Sequence, residues 1–145
     1  MGKVMAVNIS VKRGTQKVNV HTVKLIENYG LENDAHAGNW HRQVSLLSYE
    51  KIEEFKAKGA PIEDGAFGEN LIVSGYDLKA LPVGTRLRSG EVLIEVTQIG
   101  KKCYKIMGDC IMPREGIFTR VLHGGVLTEG DEIVIEKAAG EADGE

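Results

Sequence analysis

The chain has 145 residues, a formal net charge of −3 and 27% charged residues. This length is enough for one self-sufficient hydrophobic core, and a hydrophobic content of 42% is ordinary for a globular protein. The negative net charge argues against a general nucleic-acid-binding protein, since binding to phosphates needs a cationic surface.

The sequence also favours a particular compartment. No apolar run approaches the ~20 residues of a membrane span, and the N-terminal MGKVMAVNIS does not resemble a signal peptide. With two cysteines and no secretion signal, we expect reduced thiols, a cytoplasmic location and no membrane partner. Acidic residues concentrate near the C-terminus, so we expect one domain over residues 1–137 and an acidic tail over 138–145.

Short β-patterned segments fill the first part of the chain. The runs Lys3–Val11 and Val18–Ile26 are predicted as two strands joined by a polar connection. Tyr29–Gln43 contains two glycines and a dense polar set without a clear period, which predicts a long loop of the kind that often carries function. Val44–Leu47 is predicted as the next strand.

One helix is predicted after this strand. Ser48 is typical of an N-cap, and the acidic Glu50 in the first turn favours the positive end of a helix. Gly59 is typical of the residue after a helix C-terminus, and Pro61 prevents the helix from resuming. The apolar stripe of this helix consists of Tyr49, Ile52 and Phe55.

The second half returns to β-patterned segments. ENLIVSG (Glu69–Gly75) predicts a strand, Asp77–Leu81 a single helical turn, and the two runs around Ser89-Gly90 a hairpin. Ile117–Leu122 and Glu132–Glu136 are predicted as the last strands, separated by His123-Gly124-Gly125. Because a closed sheet hides its edges, we expect a mostly β, single-domain barrel with one clear helix and short helical turns.

Both thiols lie in one basic stretch, Gln98–Arg120. Cationic side chains lower the pKa of a neighbouring thiol and favour the reactive thiolate. The lysines next to the first cysteine, Cys103, therefore favour a reactive group over the alternative of a small buried hydrophobe; those lysines are Lys101, Lys102 and Lys105. Cys110 is followed by apolar residues that could draw it into the core, so it is a secondary thiol. The chain has no CxxC pair, the spacing that would indicate a structural zinc site.

Two further polar groups are candidates for a site. Asp34, His36 and His41 are three potential metal ligands in a short span, but ordinary hydrogen bonding of loop histidines is the more common outcome. The planar fork of Arg42 suits an oxyanion or carboxylate, and a surface ion pair is an equally good interpretation.

The polar pair Glu69-Asn70 enters an apolar run. A structural hydrogen-bonding role is the leading interpretation of this pair, because buried polar groups need partners, and orientation of a ligand is the second.

Seven motifs together are similar to the MOSC domain family, named for the C-terminal domain of molybdenum cofactor sulfurase. They are GLENDAHAG, RQVSLLSYE, FGENLIVSG, LKALPVGTRL, VLIEVTQIGKKC, GDCIMPREGIFTRVLHGG and EGDEIVI. Each is weak alone, but their order over about Met5–Ile135 is specific. The chain resembles the small stand-alone bacterial form of the domain.

This resemblance implies a β-barrel that handles sulfur for the molybdenum cofactor or related metal–sulfur centres. Cys103 matches the family cysteine that is proposed to carry sulfur as a persulfide or to ligate molybdenum. The polar positions expected around a cofactor pocket match Asp34, His36, Arg42, Gln43, Glu69 and Asn70. Pyridoxal phosphate is not expected. The short span from Cys103 to Cys110 lacks a further His and Cys found in close relatives, so no metal site is assigned with those ligands.

Three functions remain open at this point. The first is a sulfur carrier in which Lys101 and Lys105 stabilise the Cys103 anion, with a cysteine desulfurase as donor and a molybdoenzyme or cofactor-synthesis protein as acceptor. The second is a non-catalytic module that binds molybdenum cofactor or molybdopterin. The third is a structural or interaction domain with incidental thiols. The sequence leaves open whether a sulfurtransferase-type accessory activity accompanies the first.

Overall fold

The structure is a computed structural model that describes residues 2–12, 17–35, 37–57, 59, 69–99 and 116–137. Strands dominate these ranges, with one α-helix and one 3-10 turn among them. In chain order the elements are β1 (Gly2–Ile9), β2 (Val18–Asn19), β3 (Thr22–Ile26), β4 (Gly30–Leu31), β5 (Val44–Ser48), α1 (Tyr49–Ala57), β6 (Leu71–Ser74), the 3-10 turn (Leu78–Ala80), β7 (Arg86–Ser89), β8 (Val92–Ile99), β9 (Ile117–His123), β10 (Gly125–Thr128) and β11 (Glu132–Lys137).

Seven of the strands form a closed barrel in the order β11-β7-β8-β9-β5-β6-β1. Closure comes from the pairing of β1 with β11, in which Gly2 lies opposite Ile133. The β5–β6 pair is parallel and the other pairs of the barrel are antiparallel. A parallel pair requires a crossover connection, and α1 follows β5 in that connection. The predicted mostly β barrel is confirmed.

Apolar side chains fill the barrel and continue beyond it. Leu25, Leu31 and Leu127, from a separate sheet of order β10-β3-β4, belong to the same buried cluster as the barrel interior. A second cluster lies between α1 and the outer face of the barrel. It consists of Ala6, Leu47, Ile52, Ile72 and Phe118, with Tyr49 packed against it.

The predicted helix signals are confirmed. The Ser48 hydroxyl oxygen accepts a hydrogen bond from the Lys51 amide at 3.4 Å, as an N-cap does. At the other end Gly59 has a φ of +97° and donates its N–H to the Lys56 carbonyl at 2.9 Å. The 3-10 turn Leu78–Ala80 lies where a single helical turn was predicted.

The prediction of one strand over Val18–Ile26 is wrong. β2 pairs with β1, whereas β3 pairs with β10. Between them His21 adopts a φ of +67°, so the chain turns from the barrel to the small sheet. The alternating sequence pattern persists through this turn, so periodicity alone does not reveal the break.

Two features near glycines also differ from the sequence-based expectation. Ser89 pairs with Val92, so the hairpin turn is Gly90-Glu91, with a φ of +59° at Gly90. The strand β10 was not predicted, because the glycines at 124 and 125 indicated a connection. At Gly124 an added Cβ would lie 2.5 Å from the Leu25 carbonyl oxygen. Glycine therefore permits the close approach of the β9–β10 bend to β3.

No helix within the described ranges is long and apolar enough to cross a membrane. The cytoplasmic location and the boundary between residues 1–137 and the tail stay predictions. Residues 138–145 lie outside the described part of the chain.

The contact between the β2–β3 turn and the β10–β11 turn generates a pH-dependent prediction. His21 Nδ1 lies 2.9 Å from Glu129 Oε2, and Asn19 donates to the other carboxylate oxygen. The hydrogen bond with His21, followed by the one from Asn19, lowers the pKa of Glu129 against the opposing effect of burial. Since the folded-state pKa lies below the unfolded-state value, this stabilisation is present above the unfolded-state pKa and is lost as the pH falls through the folded-state pKa.

Glu129→Gln is therefore expected to lower the free energy of unfolding at about pH 7 by less than about 1 kcal/mol, because the His21 side chain is 72% exposed. The difference from the wild type should vanish below about pH 3. Urea denaturation at both pH values measures it, with the exposed Glu132→Gln as the matched control. A deficit of the same size at both pH values would contradict the assignment.

Candidate functional site

One row of residues, here called the outer row, crosses five neighbouring strands of the barrel wall. Gln98 of β8 lies opposite Phe118 of β9, which lies opposite Ser45 of β5. Asn70 continues the row, because its side-chain oxygen accepts from the Ser45 amide at 3.0 Å and its carbonyl accepts from the Asn8 amide at 2.7 Å. With strands about 4.8 Å apart, the row is about 19 Å long.

The side chains of the outer row point away from the barrel interior. Val44 and Leu46 belong to the interior cluster, so Ser45 between them faces outward. The same alternation places Asn8 on the outside, since Val7 and Ile9 are interior residues. Phe118 belongs to the cluster beneath α1. The row therefore borders the helix-covered part of the wall.

A buried ion pair stands at one end of this row. Lys17 Nζ lies 2.6 Å from Asp34 Oδ1, and the two side chains are 2% and 0% exposed. The same oxygen accepts from the Ser10 amide at 3.0 Å, and Oδ2 accepts from Asn70 Nδ2 at 3.2 Å. A buried charge is tolerated when it is paired and hydrogen-bonded. These contacts fix the 29–43 loop to β1 and to the start of β6. The short strand β4 (Gly30–Leu31) lies within this loop, so the prediction of irregular structure throughout Tyr29–Gln43 is wrong at its start.

The Asn70 amide uses all of its hydrogen-bonding capacity within the protein. Its Nδ2 group donates to the Asn8 carbonyl at 3.1 Å and to Asp34 Oδ2. Its Oδ1 atom accepts from both the amide and the hydroxyl of Ser45, at 3.0 and 3.1 Å. Two donors and two acceptor positions are the full set for an amide side chain. Asn70 therefore positions neighbouring elements rather than contacting a ligand itself.

Gln43 and Glu69 are also buried. Gln43 Nε2 donates to Asn28 Oδ1 at 3.0 Å, and its Oε1 accepts from the Val121 amide at 2.9 Å. These two bonds tie the end of the long loop to β9 and to the β3–β4 turn. The Glu69 carbonyl accepts from Asn8 Nδ2 at 3.4 Å, and the residue is 0% exposed. Both residues thus contribute to the rigid frame of the wall.

Arg42 is half-buried and lies at the other end of the row. Its Nε donates to Gln98 Oε1 at 3.1 Å, and its Cζ lies 5.9 Å from the Trp40 ring centroid and 5.3 Å from that of Phe118. Aromatic rings at this distance attract a cation and orient it. Gln98 is the one hydrogen-bond acceptor of Arg42 among the described residues, so its Nη groups keep donors for an anion.

His41 shares the same acceptor. Its Nε2 lies 2.9 Å from Gln98 Oε1, and because an amide oxygen only accepts, Nε2 carries the proton in this contact. The His41 carbonyl accepts from the Thr97 hydroxyl, which fixes the backbone of the loop against β8. His41 and Asp34 thus each have hydrogen-bond partners within the protein. Among the described residues no group of three or more His, Cys, Asp or Glu side chains could hold a metal ion.

The structure therefore brings five of the sequence-predicted positions to one wall: Asp34, Arg42, Gln43, Glu69 and Asn70. The other predicted positions lie outside the described residues: His36, Lys101, Cys103, Lys105 and Cys110. Segment 100–115, which holds both cysteines, directly follows Ile99 at the Arg42 end of the row, where Ile99 pairs with Ile117.

Sequence reasoning missed several members of this wall. Lys17 ends the polar connection Lys12–Lys17 that the sequence predicts between the first two strands, and no sequence pattern links it to Asp34. Asn8 and Ser10 could have been found, because they alternate with the apolar residues of β1 and therefore share a face. Gln98 carries no such signal, since its role depends on the loop that packs against it.

The fold and the outer row define a small closed-barrel domain whose candidate site lies on the outer face. The MOSC domain family model matches residues 33–134. The chain therefore belongs to the MOSC domain family, as the sequence motifs predicted. This family is linked to functions of the molybdenum cofactor sulfurase type. No curated protein shows a sequence match to the chain.

Several solved structures share the fold. The YuaD protein from Bacillus subtilis is 22% identical, with a TM-score of 0.77 over 92% of this chain and 94% of that chain. YiiM from Geobacillus stearothermophilus is 22% identical, with a TM-score of 0.72 over 94% of this chain and 76% of that one. YiiM from Escherichia coli is 25% identical, with a TM-score of 0.64, and the coverages are 94% and 71%.

The buried ion pair gives a strong prediction for stability. Lys17→Met leaves Asp34 buried without its countercharge, so the free energy of unfolding should fall by about 3–5 kcal/mol. Urea denaturation measures this loss. Lys3→Met, at an exposed position of β1, is the matched control and should change stability by less than about 0.5 kcal/mol. Equal effects of the two substitutions would contradict a stabilising role of the pair.

Proposed function

We propose that the chain is a sulfur carrier of molybdenum cofactor or metal–sulfur cluster metabolism that uses a persulfide on Cys103. Membership of the MOSC family supports this proposal at the level of the class. The observation that carries it is the position of Arg42. Its guanidinium is held by Gln98, two residues before the segment that contains both thiols.

The chain length between Ile99 and Cys103 sets an upper limit on how far this thiol can lie from the end of β8. Cys103 is four residues after Ile99, so its Cα lies within about 14 Å of the Ile99 Cα. Lys101 and Lys105 flank the cysteine in sequence. Cations close to a thiol lower its pKa and increase the fraction of thiolate, which is the attacking species in sulfur transfer.

The transfer step needs no external oxidant. The Cys103 thiolate attacks the terminal sulfur of a donor persulfide on a cysteine desulfurase. One S–S bond breaks as the new S–S bond forms, and the donor cysteine leaves as a thiolate. The carried sulfur then passes by the same exchange to a thiolate of the acceptor, a molybdoenzyme or a cofactor-synthesis protein. The number of sulfur–sulfur bonds is unchanged in each step.

Arg42 would hold the anionic part of a bound acceptor. Its remaining N–H donors fit the phosphate of a molybdopterin, because the guanidinium fork matches phosphate oxygens. Asp34, Gln43, Glu69 and Asn70 would act through the rigid wall that positions Arg42. His36, two residues after Asp34 in the sequence, remains a proposed cofactor contact.

Persulfide formation tests the assignment of Cys103. After incubation with a cysteine desulfurase and cysteine, mass spectrometry of the wild type should show a protein heavier by one sulfur atom. Cys103→Ser should lower this uptake at least about tenfold, because the thiolate attacks as the nucleophile.

Cys110→Ser is the matched control, since it removes the other thiol of the same segment and should leave uptake largely intact. Uptake by Cys103→Ser equal to that of the wild type would rule out the proposed carrier. Loss of uptake only in Cys110→Ser would move the role to the second cysteine. Absence of uptake by any form would favour a domain with incidental thiols.

Cofactor retention tests Arg42 and the alternative of a non-catalytic binding module. Protein isolated from cells that make the cofactor should carry a pterin that becomes fluorescent on oxidation. Arg42→Gln should reduce the retained pterin by about tenfold, because a charge-assisted contact to phosphate is lost. Arg88→Gln removes an arginine that pairs with Glu136 away from this end of the row and should have no effect.

The two tests separate the two functions. Retained pterin that depends on Arg42 together with no persulfide on Cys103 would support the binding module. Persulfide formation in Arg42→Gln at the wild-type level is compatible with the carrier, because this residue is assigned to the acceptor and not to the donor step.

A further inference from the structure

An open cleft of about 290 Å³ lies against β8, between the 39–41 loop and the Val83-Gly84 turn. Two apolar groups border it: Trp40 is 38% exposed and Val83 is 55% exposed. The Trp40 ring is held in place by an edge contact with the His41 ring, at 5.9 Å between centroids and 70° between planes. The aromatic ring and the exposed aliphatic group thus give the lining an apolar part that a flat ring can contact.

The charged residues that line the cleft are Glu95 and Arg120, and Arg86, outside the lining, pairs with the same carboxylate. Glu95 Oε2 accepts from Arg86 Nε at 3.2 Å, and its Oε1 accepts from Arg120 at 3.3 Å (Nε) and 3.1 Å (Nη2). Two arginines thus share one carboxylate, and both oxygens of that carboxylate are occupied. The three groups together have a formal charge of +1.

Arg120 is the cation of this group that remains available to a ligand. Its side chain is 47% exposed, and both of its bonds go to the same Glu95 oxygen. Among the described residues its Nη1 group has no hydrogen-bond partner. Asn28, which also lines the cleft, accepts from Gln43 through Oδ1 and therefore keeps its amide N–H groups as donors.

We propose that this cleft binds a small planar anion, namely an aromatic or heteroaromatic ring that bears a carboxylate. The ring lies against Trp40 and Val83, and the carboxylate accepts hydrogen bonds from Arg120 and Asn28. A guanidinium matches a carboxylate through two parallel bonds, which also fixes the plane of the ring. The combination selects for flatness and negative charge together.

The cleft adjoins the Arg42 position but is separate from it. Trp40 stands between the two, because its ring borders the cleft and also lies 5.9 Å from Arg42 Cζ. The proposed contacts use no residue of the 100–115 segment. The proposal therefore does not depend on sulfur transfer, and Cys103→Ser should bind the anion as the wild type does.

Fluorescence gives a direct test, because Trp40 is the only tryptophan of the chain. Titration of the full chain with benzoate should change the Trp40 emission saturably, with a Kd of about 1 mM for a ligand of this size. Cyclohexanecarboxylate keeps the charge but not the flat ring, and benzamide keeps the ring but not the charge. Each should bind at least about tenfold more weakly than benzoate.

Two substitutions test the cleft from different sides. Arg120→Gln removes the cation. Val83→Asp places a negative charge at the rim of the cleft and leaves every arginine unsubstituted. Each should weaken benzoate binding at least about tenfold. Arg88→Gln is the control and should bind as the wild type does. The proposal is overturned by the absence of a saturable change, by equal binding of the uncharged or non-planar ligand, or by unchanged affinity in both cleft variants.

Discussion

The architecture of the candidate site depends on the buried contact between Lys17 and Asp34. Neither charge is solvated, so each is tolerated only while the other remains within hydrogen-bond distance. Through Asn70 and Ser10 the Asp34 carboxylate also connects the long 29–43 loop to β6 and β1. These contacts offset the conformational entropy that is lost when the loop is ordered against the barrel wall. Arg42, at the far end of this loop, is held by its own contacts with Gln98 and Phe118.

The outer face of the barrel consequently has an apolar part and a polar part. Beneath α1 it is apolar, and along the outer row it is polar and hydrogen-bonded, with Phe118 contacting both parts. The amides of Asn70 and Gln43 are consumed in holding strands and loops together. Arg42 and Arg120 instead combine exposure with unused N–H donors among the described residues. Recognition of anions thus falls to arginines at the edge of a frame that the buried amides keep rigid.

Much of the fold could be predicted from the sequence, because its determinants are local. Ser48 and Gly59 mark the ends of α1 through capping, and alternating apolar residues mark most strands. The errors occurred where the determinant is not local. β2 and β3 differ in their partners rather than in their pattern. β10 begins directly after Gly124, where the missing Cβ allows the close approach to the Leu25 carbonyl. The sequence of a single segment does not show which strand it pairs with or where its backbone closely approaches another strand.

The sequence by itself determined the family, the closed β architecture and the candidate importance of Asp34, Arg42 and Asn70. Ordered motifs, and polar residues within apolar runs, can be recognised without the tertiary structure. Only the tertiary structure decided how these residues divide their roles. Lys17 and Asp34 are 17 residues apart, and Arg42 and Gln98 are 56 apart. Pairing at such separations is set by strand register and loop packing. Only the tertiary structure therefore shows which side chains are buried with a partner and which remain available for a ligand.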